Sequence, residues 1–142
     1  MRVSAKTEYA CIAMLELAVS YDADEPVRIR KIADEHDIPQ RFLVQILLQL
    51  KGAGLVVSTR GASGGYQLSR TPDEITLGEI VSVIEGPPES PPASASRKSA
   101  PSQVLAAVWQ DISRVEQDTM REITLAELVK RLKVPNNDMY YI

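Results

Sequence analysis

Residues 27–52 read VRIRKIADEHDIPQRFLVQILLQLKG, and this pattern predicts two helices joined by a short turn. Apolar residues recur at i, i+3 and i+4 from Ile29, which is the spacing of an amphipathic helix over 27–36. Pro39 separates this helix from the next, because the residue before a proline is disfavoured in helical geometry. A second helix is predicted over 40–52. Its inward face is expected to hold Phe42, Leu43, Ile46, Leu47 and Leu50.

The flanking residues add one helix before this pair and a hairpin after it. A helix is predicted over 4–21, where Ser4 can cap the first turn. Residues 55–58 and 66–69 are β-like and enclose a glycine-rich turn over 60–65, which predicts a hairpin. Three helices followed by a hairpin have the order of a winged helix-turn-helix, whose third helix can enter a DNA major groove. The predicted fold is therefore mostly α, with a two-stranded wing.

The C-terminal half is predicted to hold three more helices and one loop. Helices over 76–85 and 125–132 each begin with a Thr-x-x-Glu capping box. Between them, the Pro- and Ser-rich residues 86–102 predict a flexible loop, and a long amphipathic helix is predicted over 103–121. The expected organisation has four parts: a DNA-binding domain over 1–85, a loop over 86–102, a dimerisation helix with a short last helix over 103–133, and a tail over 134–142.

The long helix carries one apolar stripe. This stripe could pack within one subunit, but Trp109 and the length of a helix that follows a detached loop favour a dimer interface. Its residues are Val104, Leu105, Val108, Trp109, Ile112 and Val115.

Charge is distributed unevenly along the 142 residues. The net charge of −3 alone argues mildly against nucleic acid as a partner. However, residues 71–142 carry a net charge of −4, and the sequence between Asp37 and Asp73 contains no acidic residue. That window has a charge of +4, from Arg41, Lys51, Arg60 and Arg70. A basic face of this kind supports DNA binding by counterion release, and the alternative is a solvated surface that happens to lack acids.

The single cysteine and single histidine argue against an enzyme. Cys11 is expected to be a buried free cysteine that acts as a small hydrophobe rather than a redox sensor, and a single cysteine excludes a disulfide framework. His36 is expected to interact with the C-terminal dipole of its helix rather than to bind a metal. With 44% hydrophobic residues but no long apolar run and no targeting signal, the chain is expected to be cytoplasmic, away from membranes.

Short motifs run along nearly the whole chain. They are residues 1–6 with Tyr9-Ala10, Ile32-Ala33, Ile38-Pro39, Phe42-Leu43, the run Leu50–Val56, Arg60-Gly61, Gly64-Gly65-Tyr66 with Leu68, residues 84–86, Trp109, and residues 123–125 with Leu128. In these motifs the chain resembles the Rrf2 family of bacterial repressors. The pattern is most similar to the family's iron–sulfur cluster regulators. The resemblance implies a homodimer that binds a palindromic operator in double-stranded DNA, with the long helix crossing between subunits.

The resemblance also implies DNA contacts at individual positions. Base edges would be reached by Gln40, Arg41, Phe42 and Gln45, and the minor groove by Arg60 at the wing tip. The candidates for phosphate contacts are Arg2, Lys6, Arg28, Ser58 and Ser63. The residues expected to allow the tight wing turn and its close approach to DNA are Gly61, Gly64 and Gly65. Tyr66 is expected to pack in the wing, and Val44 replaces a family glutamate that discriminates between operators.

The chain departs from the cluster-binding members of that family. Their three cysteine ligands correspond to Pro91, Arg97 and Gln103, and a possible fourth ligand lies near Ala106. None of these four residues is a cysteine, so none can ligate iron as the family's cysteines do. As written, the chain is therefore expected to hold no metal and no 2Fe–2S cluster. Either it is a natural cluster-free regulator, or it is a cluster sensor whose cysteines have been replaced. A protein-interaction module built on the same fold is the remaining alternative.

Overall fold

The computed structural model describes residues 2–86 and 99–134. Over these residues the chain forms six α-helices and one two-stranded antiparallel sheet, the mostly α fold with a wing that the sequence predicts. In chain order the elements are α1 (Ala5–Val19), α2 (Ile29–His36), α3 (Gln40–Gly52), β1 (Val56–Thr59), β2 (Gly65–Leu68), α4 (Leu77–Glu85), α5 (Ala100–Glu122) and α6 (Leu125–Leu132).

The first two helices are shorter than predicted. The helix expected over 4–21 ends at Val19, and a short 3₁₀ turn over Tyr21–Ala23 follows. The second helix begins at Ile29 rather than at residue 27, because Val27 pairs with Tyr66 as an extended residue. The amide N of Val27 donates to the carbonyl O of Tyr66 at 2.9 Å, and the reverse bond is 2.8 Å long. The wing is thereby bonded to the start of the helix-turn-helix.

The hairpin forms as predicted, but both strands are displaced by one residue from 55–58 and 66–69. Leu55 is not in β1, because its amide N donates to the carbonyl O of Leu50 at 3.0 Å and so closes the end of α3. The strands then pair in the register Val56 with Leu68 and Thr59 with Gly65.

The long helix begins at Ala100 rather than at residue 103, so the predicted loop is too long at its C-terminal end. Ser99 caps this helix by accepting a hydrogen bond from the amide N of Ser102 at 3.3 Å. Pro101 lies in the first turn, where a proline is tolerated because its missing N–H would have no partner in the helix. The predictions for Pro91, Arg97 and the tail over 135–142 lie outside the described residues.

One hydrophobic core joins α1, α2, α3, α4, the wing and α6. Its largest side chains with less than 2% exposure include Met14, Leu17, Ile32, Leu43, Ile46, Leu47, Leu50, Ile80 and Leu125. Four of the five residues predicted to face inward from α3 are buried, but Phe42 is 42% exposed. The prediction that Phe42 belongs to the core is therefore wrong.

The last helix packs on the N-terminal core. The amide N of Leu125 donates to the carbonyl O of Ile75 at 3.0 Å, and Leu77 bonds in the same way to Ile123 at 2.8 Å. Both predicted capping boxes form on the threonine side, since Thr76 and Thr124 each accept a backbone N–H bond at 3.1 Å. The two backbone bonds, from Leu125 to Ile75 and from Leu77 to Ile123, hold the C-terminal end of α5 beside α4.

Candidate nucleic-acid interface

The third helix presents a polar outer face next to one exposed aromatic ring. Gln40, Arg41 and Gln45 are exposed, while Leu43 and Leu47 on the opposite side are fully buried. The guanidinium of Arg41 lies 5.0 Å from the centroid of the Phe42 ring. The buried side therefore anchors the helix, and the outer face carries the side chains predicted to reach base edges.

The wing carries its predicted contact residues at or near its tip. Arg60 and Ser63 are exposed in the turn between the strands, and Gly61 adopts a φ of +104° there with open space around it. The ammonium group of Lys51, at the end of α3, donates to the Ser58 hydroxyl at 2.7 Å. This bond, which no pattern in the sequence predicts, ties α3, the recognition helix, to the wing.

Two wing glycines are required by the protein's own backbone. Gly64 is buried, and a Cβ atom at this position would lie 2.2 Å from the carbonyl O of Thr59. Gly65 has a φ of +149°, and a Cβ atom there would lie 2.5 Å from the carbonyl O of Val27. The backbone at these two glycines thus lies close to other parts of the protein: Gly64 to the hairpin itself, and Gly65 to the start of α2. Gly64 is one of the residues predicted to contact DNA, but it is buried, so that prediction is corrected. Tyr66 packs against the core, as predicted.

The phosphate-contact candidates outside the wing surround the start of α1 and of α2. Arg2, Lys6 and Arg28 are all exposed. The start of α1 is held by Ser4, which accepts from the amide N of Thr7 at 3.1 Å and donates to Glu85 at 2.7 Å.

Glu85, at the end of α4, also accepts a hydrogen bond from the buried Thr7 hydroxyl. The hydrogen bonds from Thr7 and Ser4 lower the pKa of Glu85 below its usual value. Glu85 therefore stays ionised and fixes the N-terminal end of α1 against α4. Nothing in the sequence pattern pairs these residues, which are 78 and 81 positions apart.

The basic window between Asp37 and Asp73 has fewer unpaired positive charges than its net charge of +4 indicates. Arg70 forms an ion pair with Glu79 at 2.7 Å, so its charge is neutralised by α4. Among the residues that the structure describes, no ion pair involves Arg41, Lys51 or Arg60. The recognition helix and wing thus form a basic face over the side that the predicted DNA contacts occupy.

The single histidine and single cysteine have structural partners. His36 does more than end α2, since its Nε2 lies 2.9 Å from a Glu16 carboxylate oxygen on α1. Glu35 completes a group whose donor atoms lie within 4.8 Å of one another, but Lys31 already pairs with it at 3.8 Å. The three side chains are thus held by a hydrogen bond between His36 and Glu16 and by an ion pair between Lys31 and Glu35. Cys11 is half-buried rather than buried as predicted, and burial, assisted by Glu8, raises the pKa of its thiol to about 11, so the thiol is protonated at neutral pH.

The apolar stripe of α5 has no cover within the described chain. Its six residues are between 44% and 65% exposed, whereas Ala106 on another side of the helix is 7% exposed. Packing of the stripe inside one subunit, one of the two alternatives for this helix, is not observed. Within residues 2–86 and 99–134, no helix combines the length and the apolar character that a bilayer crossing requires.

The fold and its exposed face define a winged helix-turn-helix DNA-binding regulator. The model of the Rrf2 family, described as iron-dependent transcriptional regulators, matches residues 3–131. The chain therefore belongs to the Rrf2 family and is a transcriptional regulator rather than an enzyme.

Relatives and solved structures agree with this assignment. The regulator IscR of Erwinia tasmaniensis is 32% identical, with 94% of this chain and 82% of that protein covered. The structure of CymR, the global cysteine regulator of B. subtilis, is 31% identical and superposes with a TM-score of 0.80, covering 92% of this chain and 98% of that one. The structure of IscR from T. potens is 33% identical with a TM-score of 0.78, covering 99% and 97%.

The donor atoms of this chain do not fit a cysteine-ligated iron–sulfur cluster. Its one thiol belongs to Cys11, which packs against the core from within α1. Two of the predicted ligand positions lie within the described residues, both in α5: Gln103 offers only an amide, and Ala106 has no donor atom in its side chain. A 2Fe–2S cluster held by four thiolates, or by three thiolates and one other ligand, has no donor set here.

Proposed function

We propose that this chain is a homodimeric repressor that binds a palindromic operator in cytoplasmic DNA. The observation that carries the proposal is the uncovered apolar stripe on α5, in the same chain as an exposed recognition helix and wing. A second copy can cover the stripe by two-fold symmetry, and a two-fold dimer matches two inverted half-sites. Repression follows if the operator overlaps a promoter, because the bound dimer then excludes the polymerase.

The exposed side chains support a division of labour on DNA. In the major groove Arg41 is suited to the O6 and N7 atoms of guanine, and Gln40 and Gln45 to the N6 and N7 atoms of adenine. In the minor groove Arg60 would enter a narrow A·T-rich segment, where the negative potential is enhanced. The remaining contacts, to phosphates, would come from Arg2, Lys6, Arg28, Ser58 and Ser63, and they fix the register without reading sequence.

Salt dependence tests whether the basic face binds DNA. If Arg2, Lys6 and Arg28 of both subunits each neutralise a phosphate, affinity for a selected palindrome should fall about 10³-fold between roughly 50 and 200 mM salt. Fluorescence anisotropy with labelled duplexes at several salt concentrations measures this slope. A random duplex should also bind at low salt, but more weakly. No binding of either duplex at low salt would instead support a protein-interaction module.

We also propose that the chain regulates transcription without a cysteine-ligated cluster. Anaerobic incubation with iron and sulfide, followed by desalting, should leave a colourless protein with unchanged operator affinity. The reason is that Cys11 is the chain's one thiol and it is protonated and packed in α1. Retention of stoichiometric iron and sulfide would contradict the proposal. The gene sequence over codons 90–106 then decides whether the missing cysteines are natural or replaced.

A further inference from the structure

An apolar recess opens between the start of α1 and the recognition helix. Its volume is about 350 Å³, and it is lined by Ala5, Lys6, Tyr9, Phe42, Gln45 and Ile46. Of these lining residues, Ile46 is buried and Tyr9 is partly buried against the core. Phe42 also lines the recess, and it is 42% exposed although its helix carries four buried residues.

The side chains that line the recess match chemical groups that a DNA duplex exposes at its major groove. Phenylalanine and alanine side chains are suited to the 5-methyl group of thymine, the apolar feature of the major groove. Lys6, an exposed lining residue, offers a cation for a phosphate, and the Gln45 amide can pair with a neighbouring adenine. A cation, an amide and an apolar hollow therefore lie side by side on the face that bears the other predicted contacts.

We infer that this recess receives the 5-methyl group of one thymine in each operator half-site, which makes Phe42 a specificity-determining residue. The inference rests on the proposed function and adds to it the base feature that is read. It also explains why a large aromatic side chain stays exposed on α3. The ring is kept in place by Arg41, whose guanidinium lies 5.0 Å from the ring centroid.

Uracil substitution tests the inference with the unmodified protein. Uracil keeps every hydrogen-bonding atom of thymine and lacks only the methyl group. Duplexes selected from a random library by the full chain would be remade with each thymine replaced by uracil in turn. At one position per half-site, affinity should fall roughly fourfold, the effect of burying one methyl group, and roughly fifteenfold when both half-sites are changed.

Two variants then assign the effect to the recess. Phe42→Ala should bind thymine and uracil duplexes equally, while Leu48→Ala should keep the roughly fourfold preference. Leu48 is the matched control, because it is an apolar residue of α3 that is 56% exposed and does not line the recess.

Each other outcome overturns the inference. If specific binding persists but no uracil substitution weakens it, or if Phe42→Ala keeps the thymine preference, the recess does not read the methyl group and the proposed function stands. If no sequence is enriched from the library, the proposed function fails and the inference fails with it.

Discussion

Replacing Arg60 with alanine is expected to weaken operator binding by about 10- to 100-fold for each half-site, which corresponds to about 1.5–3 kcal/mol for each hydrogen bond from a charged group. Arg60 is exposed at the wing tip, and no ion pair among the described residues occupies its guanidinium. Its charge is therefore available to a narrow minor groove, whose potential is more negative over A·T pairs. The variant should also lose part of its preference for A·T pairs at the position that the wing contacts.

The measurement compares operators that carry A·T or G·C pairs under the wing, by anisotropy titration at one salt concentration. Arg131→Ala is the matched control, because Arg131 is an exposed arginine of α6 that pairs with Glu127 at 3.6 Å and is not among the predicted contacts. The control should change affinity by less than about threefold, in keeping with the small effect of one remote charge. Equal effects of the two substitutions would show that Arg60 contributes general charge and does not enter the groove.

The fold could be predicted from the sequence because its signals are local. The i, i+3, i+4 spacing after Ile29 and the break at Pro39 define two helices within 26 residues, and the glycine-rich turn defines the hairpin. The boundaries were less accurate, because distant residues set them. Val27 leaves α2 to pair with Tyr66, and no pattern around residue 27 announces a partner 39 residues away.

The candidate site could be predicted mainly through its exposed polar residues. Residue type and position predict that Arg41 and Arg60 contact DNA, and both are exposed, but charge counting overestimated the basic window because Arg70 pairs with Glu79 across the fold. Helical periodicity predicted that Phe42 faces inward. That prediction is wrong because helical spacing alone does not show where a neighbouring helix stops covering a side chain. Composition likewise assigned Pro101 to a loop, although a proline in the first turn fits a helix.

The apolar stripe of α5 leads to the prediction with the largest effect. Trp109→Asp should convert the proposed homodimer to a monomer, because it replaces an indole ring, 49% exposed in the single chain and covered in that dimer, with a carboxylate. Burying an unpaired charge in an apolar contact costs several kcal/mol for each subunit, which opposes association of the two copies. Sedimentation at micromolar concentration measures the change in mass.

Loss of the dimer should in turn remove operator recognition, since one subunit reaches only one half-site. Affinity for the selected palindrome is then expected to fall at least about 10³-fold, to the level of random duplex. Trp109→Phe should stay dimeric, and so should Gln110→Asp, which adds the same charge at an exposed position outside the stripe. All three variants should keep the helical circular dichroism spectrum, because neither residue belongs to the buried core. A monomeric Trp109→Asp variant that still binds the palindrome tightly would show that one recognition helix and one wing suffice. A Trp109→Asp variant that stays dimeric would place the subunit contact on another surface.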